Sequence, residues 1–297
     1  MRNGLTTNTL VKLATPSKSN ICYQTSYIFF FGIIFSYKPV DAFLNAFCMK
    51  KLFLFCLLAL AIAGCKKETT SNIISGPTTN VDKQAAGSSA AGLLAADTYT
   101  SLRIELQYAP GMQPQAQTLT NLSNFLSERL NKPAGITIVT KQVNSLGKPT
   151  VNIADITAFT DQYRTLYTDG NQITLYILFA DADYSTNGVV GVAYRNTAIC
   201  LFEKTIQANS GGINQAGRVK VESGVLLHEM GHLLGLTNNG TSMITPHEDA
   251  ANKAHCNNSN CLMYYSIETT GLMNMLSNAV PALDANCLAD LKGNGGK

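Results

Sequence analysis

His228 and His232 stand four residues apart in the run HEMGHLLGL, residues 228–236. On a helix that spacing puts both imidazoles on one face, one turn apart. Two ring nitrogens so placed can hold one zinc ion at about 2.0–2.1 Å each. Glu229, beside the first histidine, can face a water on the metal without being a ligand itself. The H-E-x-x-H pattern therefore predicts hydrolytic zinc chemistry with Glu229 as general base. The competing explanation is a chance match on an ordinary amphipathic helix, and the surroundings argue against it. All four histidines of the chain, His228, His232, His247 and His255, fall in one stretch of its last third, whereas core or solvated histidines would be scattered. Gly235, just past the second histidine, suits a left-handed helix end. The run HCNNSNCLMYY, 255–265, then joins a histidine to Cys256, with Cys261 and Met263 following.

H-E-x-x-H-x-x-G followed by a third histidine and a methionine turn resembles the metzincin clan of zinc metallopeptidases. The run H-C-x-x-x-x-C-x-M most resembles its archaemetzincin branch, in which the third ligand directly precedes the first cysteine. The resemblance covers roughly residues 98–297, with its specific motifs confined to 228–265. It implies an α+β, zincin/metzincin-like fold: a twisted, mainly parallel sheet with an antiparallel edge strand, an active-site helix, and a small irregular C-terminal subdomain ending in a helix. It implies His228, His232 and His255 as ligands of one catalytic zinc, Glu229 as the base, and Met263 as the turn beneath the metal. Tyr265 falls where some metzincins keep a tyrosine near the zinc, with Tyr264 as the alternative. The chain departs from the pattern in two ways. The usual third-ligand position, three after Gly235, is Asn238, and the later C-x-x-C pair is reduced to Cys287.

The third ligand is expected to be His255. The neutral amide of Asn238 is a poor zinc ligand beside an imidazole. His247 lies in Thr245-Pro246-His247-Glu248-Asp249, which reads as the start of a short helix, with Thr245 as cap and proline at its first position. His255 adjoins Cys256, and the insertion between Asn238 and His255 becomes a surface excursion beside the cleft.

The elements that must position these groups begin well downstream of the N-terminus. Met49-Lys50-Lys51, an apolar run over 52–63, then Gly64 and Cys65 read as a bacterial lipoprotein signal peptide, 49–64, with lipid carried on Cys65. The apolar run is too short to span a hydrocarbon core of about 30 Å. Residues 1–48 are then a misassigned upstream extension, the alternative being a genuine long leader; 65–97 reads as a lipid-anchored flexible linker poor in large apolar residues, and 98–297 as the zinc metallopeptidase domain. The expected location is the bacterial cell envelope, anchored to membrane on the periplasmic side or the cell surface, as a monomer. Charged residues make up only 14% of the chain and the net charge is +3, with no basic stripe, so nucleic acid is not an expected partner.

Within the domain, Leu102, Ile104, Leu106 and Tyr108 alternate with polar neighbours as in a half-buried strand that Pro110-Gly111 ends. Helical spacing follows over 115–131, a β-branched strand over 136–143, and a second helix through Ile156, Phe159, Tyr163 and Leu166. Residues 173–179 are nearly all apolar, as in a strand covered on both faces. Asp181-Ala182-Asp183-Tyr184-Ser185 resembles the opening of a calcium loop but lacks its glycine and final glutamate, so a polar turn is preferred to calcium. Residues 188–194 and 198–202 read as two strands joined at Arg195-Asn196. The metzincin resemblance makes the first of them, over 191–194, the edge that pairs with an extended peptide. The zinc helix is expected to start near Val219, and a closing helix to cover 283–291. In an oxidising compartment Cys256–Cys261 and Cys200–Cys287 are the expected disulfides; the alternative is a second, structural zinc on these thiolates.

Together these features predict an endopeptidase acting on a peptide or protein substrate. A non-catalytic zinc-containing lipoprotein that binds at the surface, and a zinc amidase acting on a cell-wall bond, are the other classes.

Overall fold

In the computed structural model the structure describes residues 79–270 and 279–297. The expected extension, leader, anchor cysteine and first part of the linker lie outside the described residues. The part of the linker that is described belongs to the domain. A 3-10 helix, Thr79–Asp82, and α1, Ala90–Leu94, precede the first strand. Asp82 is fully buried, accepting from the backbone N–H and hydroxyl of Thr168 (2.8 Å each) and lying 3.5 Å from the Arg164 guanidinium. Leu93 and Leu94 are in the core. Residues 79–97, expected as part of the linker, thus pack against residues of the 98–297 domain. A segment with few large side chains still makes contacts with the fold when two of them, Leu93 and Leu94, are buried and its acid meets a buried arginine.

The sheet is built from β1 (Ser101–Tyr108), β2 (Ile136–Gln142), β4 (Gln172–Phe179), β6 (Gly191–Arg195) and β7 (Ala198–Leu201). Their order is β2-β1-β4-β7-β6, parallel throughout except that β6 runs antiparallel to β7 at the edge. This is the expected α+β architecture. β4 is buried along nearly its whole length, as its unbroken apolar sequence requires. Two cores result. One holds Leu102, Ile104, Ile177 and Ile199 against the helices α2 (Ala116–Arg129) and α5 (Arg218–Leu233). The other holds Tyr176, Leu178 and Phe202 against α3 (Ile153–Tyr163). Helix α3 opens on a capping box between Asn152 and Asp155 and stops before Leu166, which falls in the following loop.

The polar run after β4 has a use the sequence did not disclose. β5, Asp183–Tyr184, pairs in parallel with β3, Thr150–Val151. Its carboxylates are taken up by protein donors: Asp183 by Lys204 and Thr205 of α4 (Glu203–Ala208), Asp181 by the Leu146 N–H. Among the described residues past α5 the regular elements are a one-turn 3-10 helix at Tyr265–Glu268 and the closing helix α6, Ala285–Gly293. The helix expected to start at Thr245 does not form. His247 and Glu248 lie instead in extended chain, Glu248 forming a bridge with Cys256. Among the described residues no helix is long and apolar enough to cross a membrane.

Candidate metal centre

Helix α5 is buried from Lys220 to Leu233, sandwiched against α2, β6 and β7. Glu222 fixes its placement by accepting from the Gln115 N–H (2.8 Å) and the Thr118 hydroxyl (2.9 Å) at the start of α2, which lacks a side-chain cap of its own. The helix ends where Gly235 turns left-handed (φ +77°); a β-carbon there would lie 2.7 Å from the Thr241 N and 2.8 Å from the Ala90 Cβ. The chain then leaves on a loop whose two ends are tied together by the Thr237 hydroxyl donating to the Ala254 carbonyl. That clasp returns His255 to the helix and makes the intervening insertion an excursion. Its interior is not free, since His247 is buried with its Nε2 2.7 Å from Asp290 Oδ2 on α6.

Three imidazoles thus meet. The Nε2 atoms of His228 and His232 are 3.1 Å apart, and the His255 ring lies 5.2 Å and 5.0 Å from theirs, centroid to centroid. His228 Nδ1–H donates to the Leu262 carbonyl (2.7 Å) and His255 Nδ1–H to that of Lys253 (2.9 Å). A carbonyl only accepts, so these contacts put the ring proton on Nδ1 and leave Nε2 its lone pair. Leu262 immediately precedes Met263, whose buried Sδ packs on Gly231 between the two helix histidines.

The structure adds a residue that sequence reasoning missed. The carboxylate of Glu268 reaches the same point, with Oε1 3.6 Å from His255 Nε2 and Oε2 3.8 and 3.9 Å from those of His228 and His232. One signal could have found it: Glu268 is the only acidic residue between Asp249 and Asp284. Tyr265, three residues earlier, is partly exposed, with its ring packed on Tyr264 at 4.7 Å.

Glu229 is fully buried and neither carboxylate oxygen has a hydrogen-bond partner. Burial, and then the Glu268 charge, push its pKa well above the usual carboxylate range, offset in part by the backbone of Ala193 on β6. A β-carbon on Gly191 would lie 2.8 Å from Glu229 Oε1, so only a glycine lets the edge strand come this close to the acid. Burial, then the His228 and His255 rings, hold His232 well below the usual histidine value, which keeps it neutral and able to bind a cation. These are the residues a metal would need: three nitrogen donors and one oxygen donor within 4.8 Å of one another, and Nε2 of His255 otherwise without a hydrogen-bond partner. The donor set suits zinc.

The cysteines correct an expectation. Cys200, Cys256, Cys261 and Cys287 are all free and buried, so neither expected disulfide is formed. Cys200 lies within β7, and its thiol contacts the Leu201 carbonyl at 3.8 Å. Cys256 is turned to His247 Nδ1 (3.4 Å) and Asp284 (3.3 Å), and Cys261 to Cys287, sulfur to sulfur 3.6 Å. A bonded pair would need about 2.05 Å. His247, Cys256, Asp284 and Cys287 offer donor atoms within 4.8 Å of one another. His247, the rejected candidate for the first site, stands in this second group.

The chain matches Reprolysin_5, the metallo-peptidase family M12 description, over residues 104–277. No curated protein matches it. Among solved structures it is similar to the archaemetzincin of Methanopyrus kandleri, at 17% identity and a TM-score of 0.43, over 66% of this chain and 96% of that one. With more than half of its length matched, and with the H-E-x-x-H helix, the returning histidine and the methionine turn assembled at one point, the chain belongs to metallo-peptidase family M12.

Proposed function

We propose that the protein is a zinc-dependent endopeptidase in which His228, His232 and His255 hold the ion and Glu229 is the general base. When bound, zinc supplies Lewis acidity, lowering the pKa of a water towards about 7 and polarising a carbonyl. Glu229 takes the proton of the attacking water and passes it to the leaving amine. Burial raises the proton affinity of the acid above that of an ordinary carboxylate, which suits it to accept the water's proton. The carbonyls of Leu262 and Lys253 hold two of the rings in register, so their nitrogens do not swing as the charge on the substrate changes. The β6 edge, backed by Gly191 against Glu229, offers its backbone to an extended peptide, which sets the scissile carbonyl beside the base. Tyr265 is a candidate donor to the oxyanion, from its half-exposed position at the head of the one-turn helix.

The single observation that carries this reading is Glu229: a fully buried acid with two unpartnered oxygens, beside three convergent imidazoles. A solely structural metal site gives no reason to bury such a group. One observation favours the second class, a surface-binding protein with structural zinc, namely that Glu268 supplies a fourth donor. Casein hydrolysis with and without a chelator separates the two. Chelator-sensitive cleavage supports the peptidase; zinc-loaded protein that cleaves neither casein nor gelatin would reject it.

The thiol group around His247 is read as a second, structural metal site, the alternative that free cysteines leave open. The protein is further proposed to be a lipoprotein of the bacterial envelope, processed at Cys65. Intact mass of the membrane fraction tests this, and an unlipidated chain retaining residues before Cys65 would refute it.

A further inference from the structure

The three-histidine reading leaves a position for water, yet in the structure a carboxylate stands at it. A tetrahedral zinc ion with bonds of about 2.0–2.1 Å holds its donors about 3.4 Å apart. The His228–His232 separation of 3.1 Å and the three Glu268 separations of 3.6–3.9 Å bracket that value. The Glu268 carboxylate thus lies near the fourth vertex, with Oε1 facing His255 and Oε2 facing His228 and His232, at separations a small side-chain shift would bring into bonding range.

Its backbone is pinned as well. The Glu268 carbonyl accepts from the Val190 N–H (2.8 Å), Thr269 forms an antiparallel bridge with Val189, and the Thr270 N–H donates to the Gly188 carbonyl (2.8 Å). The residues leading into the β6 edge are therefore already paired with the segment that carries the acid. The side chains of the three histidines are at most 11% exposed, whereas that of Glu268 is 26% exposed. Of the four donors it is the one on the solvent side, and the one an entering group meets first.

We propose that Glu268 is a fourth protein ligand of the ion in the resting protein, and that an oxygen of the substrate displaces it. This rests on the zinc reading above and changes what that reading says of the free protein: the site is closed until a peptide enters. It also reconciles the two opposed features, a complete donor set and a buried base. The exchange breaks one carboxylate–metal bond and forms one to the incoming oxygen, with no change of oxidation state. Glu268 leaves as an anion toward solvent, and its departure also removes the charge that bears on Glu229.

The experiment is a crystal structure of the zinc-loaded full chain, alone and with a peptide hydroxamate, a ligand that brings two oxygens to the ion. The expected result is one Glu268 oxygen within about 2.2 Å of the ion in the free protein. In the hydroxamate complex, that oxygen should be replaced. Zinc held by the three histidines with solvent in place of Glu268 would overturn the inference and leave the zinc reading intact. Glu268 still bound in the hydroxamate complex would overturn its displacement. Absence of zinc from the three histidines would overturn the zinc reading, and this inference with it. As a second readout, Glu268→Gln is expected to weaken zinc binding at this site by more than tenfold, with an unchanged affinity counting against ligation.

Discussion

Met263 lies flush on the backbone of Gly231: a β-carbon added to that glycine would stand 2.2 Å from the methionine sulfur. The contact seats the methionine turn between His228 and His232 and fixes how far the turn can approach the helix. Gly231→Ala would gain up to about 1 kcal/mol in helix propensity. It would lose about 1–3 kcal/mol in a fully packed core, because Met263 has to move. The expected net outcome is a lower urea midpoint together with weaker zinc binding, since the displaced turn carries the Leu262 carbonyl that orients His228. Unchanged zinc affinity would show that the turn does not support the site.

His255 is expected to be the third ligand. His255→Ala should weaken zinc binding at this site by more than about 100-fold, beyond the range typical of losing a ligand's supporting group. Asn238→Ala, which alters a left-handed loop residue, and His247→Ala, which alters the thiol group, should leave it. Site-resolved metal content of the three variants checks this. Zinc retained with the histidine pair in His255→Ala would reject the assignment.

The free thiols give a separate expectation. Peptide mapping after alkylation without reductant should find Cys200, Cys256, Cys261 and Cys287 all alkylated once the protein is unfolded in chelator. A peptide cross-linked between any two of them would contradict the free state. The Cys261 thiol is pushed down to about 7, chiefly by the hydrogen bond from Cys287, so it should be the first of the four to alkylate as pH rises, whereas burial pushes the Cys256 thiol up to about 12.

Much of this arrangement was legible in residue type and spacing. Periodicity located β1 and α2, an unbroken apolar run located β4 between the two cores, and the H-E-x-x-H motif located α5. The two helix histidines, Glu229, His255 and Met263 could be read because each belongs to a short local pattern. What escaped was non-local. Glu268 enters the site only through the pairing of 268–270 with 188–190, and no local pattern announces that. The disulfides were inferred from an even cysteine count, but Cys256 is instead drawn to His247 by the bridge between Glu248 and Cys256. Thr245-Pro246 carried a sound helix-start signal, yet the Ile244 N–H is taken by Asp290 on α6 (2.6 Å) and the next residues extend. The segment 79–97 reads as polar linker, and the contacts that hold it are again non-local: Asp82 with Thr168 and Arg164, and Leu93 and Leu94 in the core.

A pH dependence follows from the cluster that holds α5. Glu203 is fully buried against Arg218, and burial followed by the Glu222 charge raises its pKa to about 8. The folded protein therefore keeps a proton that the unfolded chain has released. This contribution to stability is complete below the ordinary glutamate value of 4.5 and is lost as pH rises to about 8. Urea unfolding should show stability falling over that window, and Glu203→Gln should flatten the fall. An equal slope in the variant would place its origin elsewhere.

The most direct test of the peptidase account is casein hydrolysis by zinc-loaded Glu229→Gln, measured beside its zinc content. The amide keeps the shape of the buried side chain but cannot take a proton from water. The account predicts a loss of at least about 10²-fold in rate, the usual size of a general base's contribution, with zinc still bound. Hydrolysis at the wild-type rate, or loss of zinc together with activity, would contradict it.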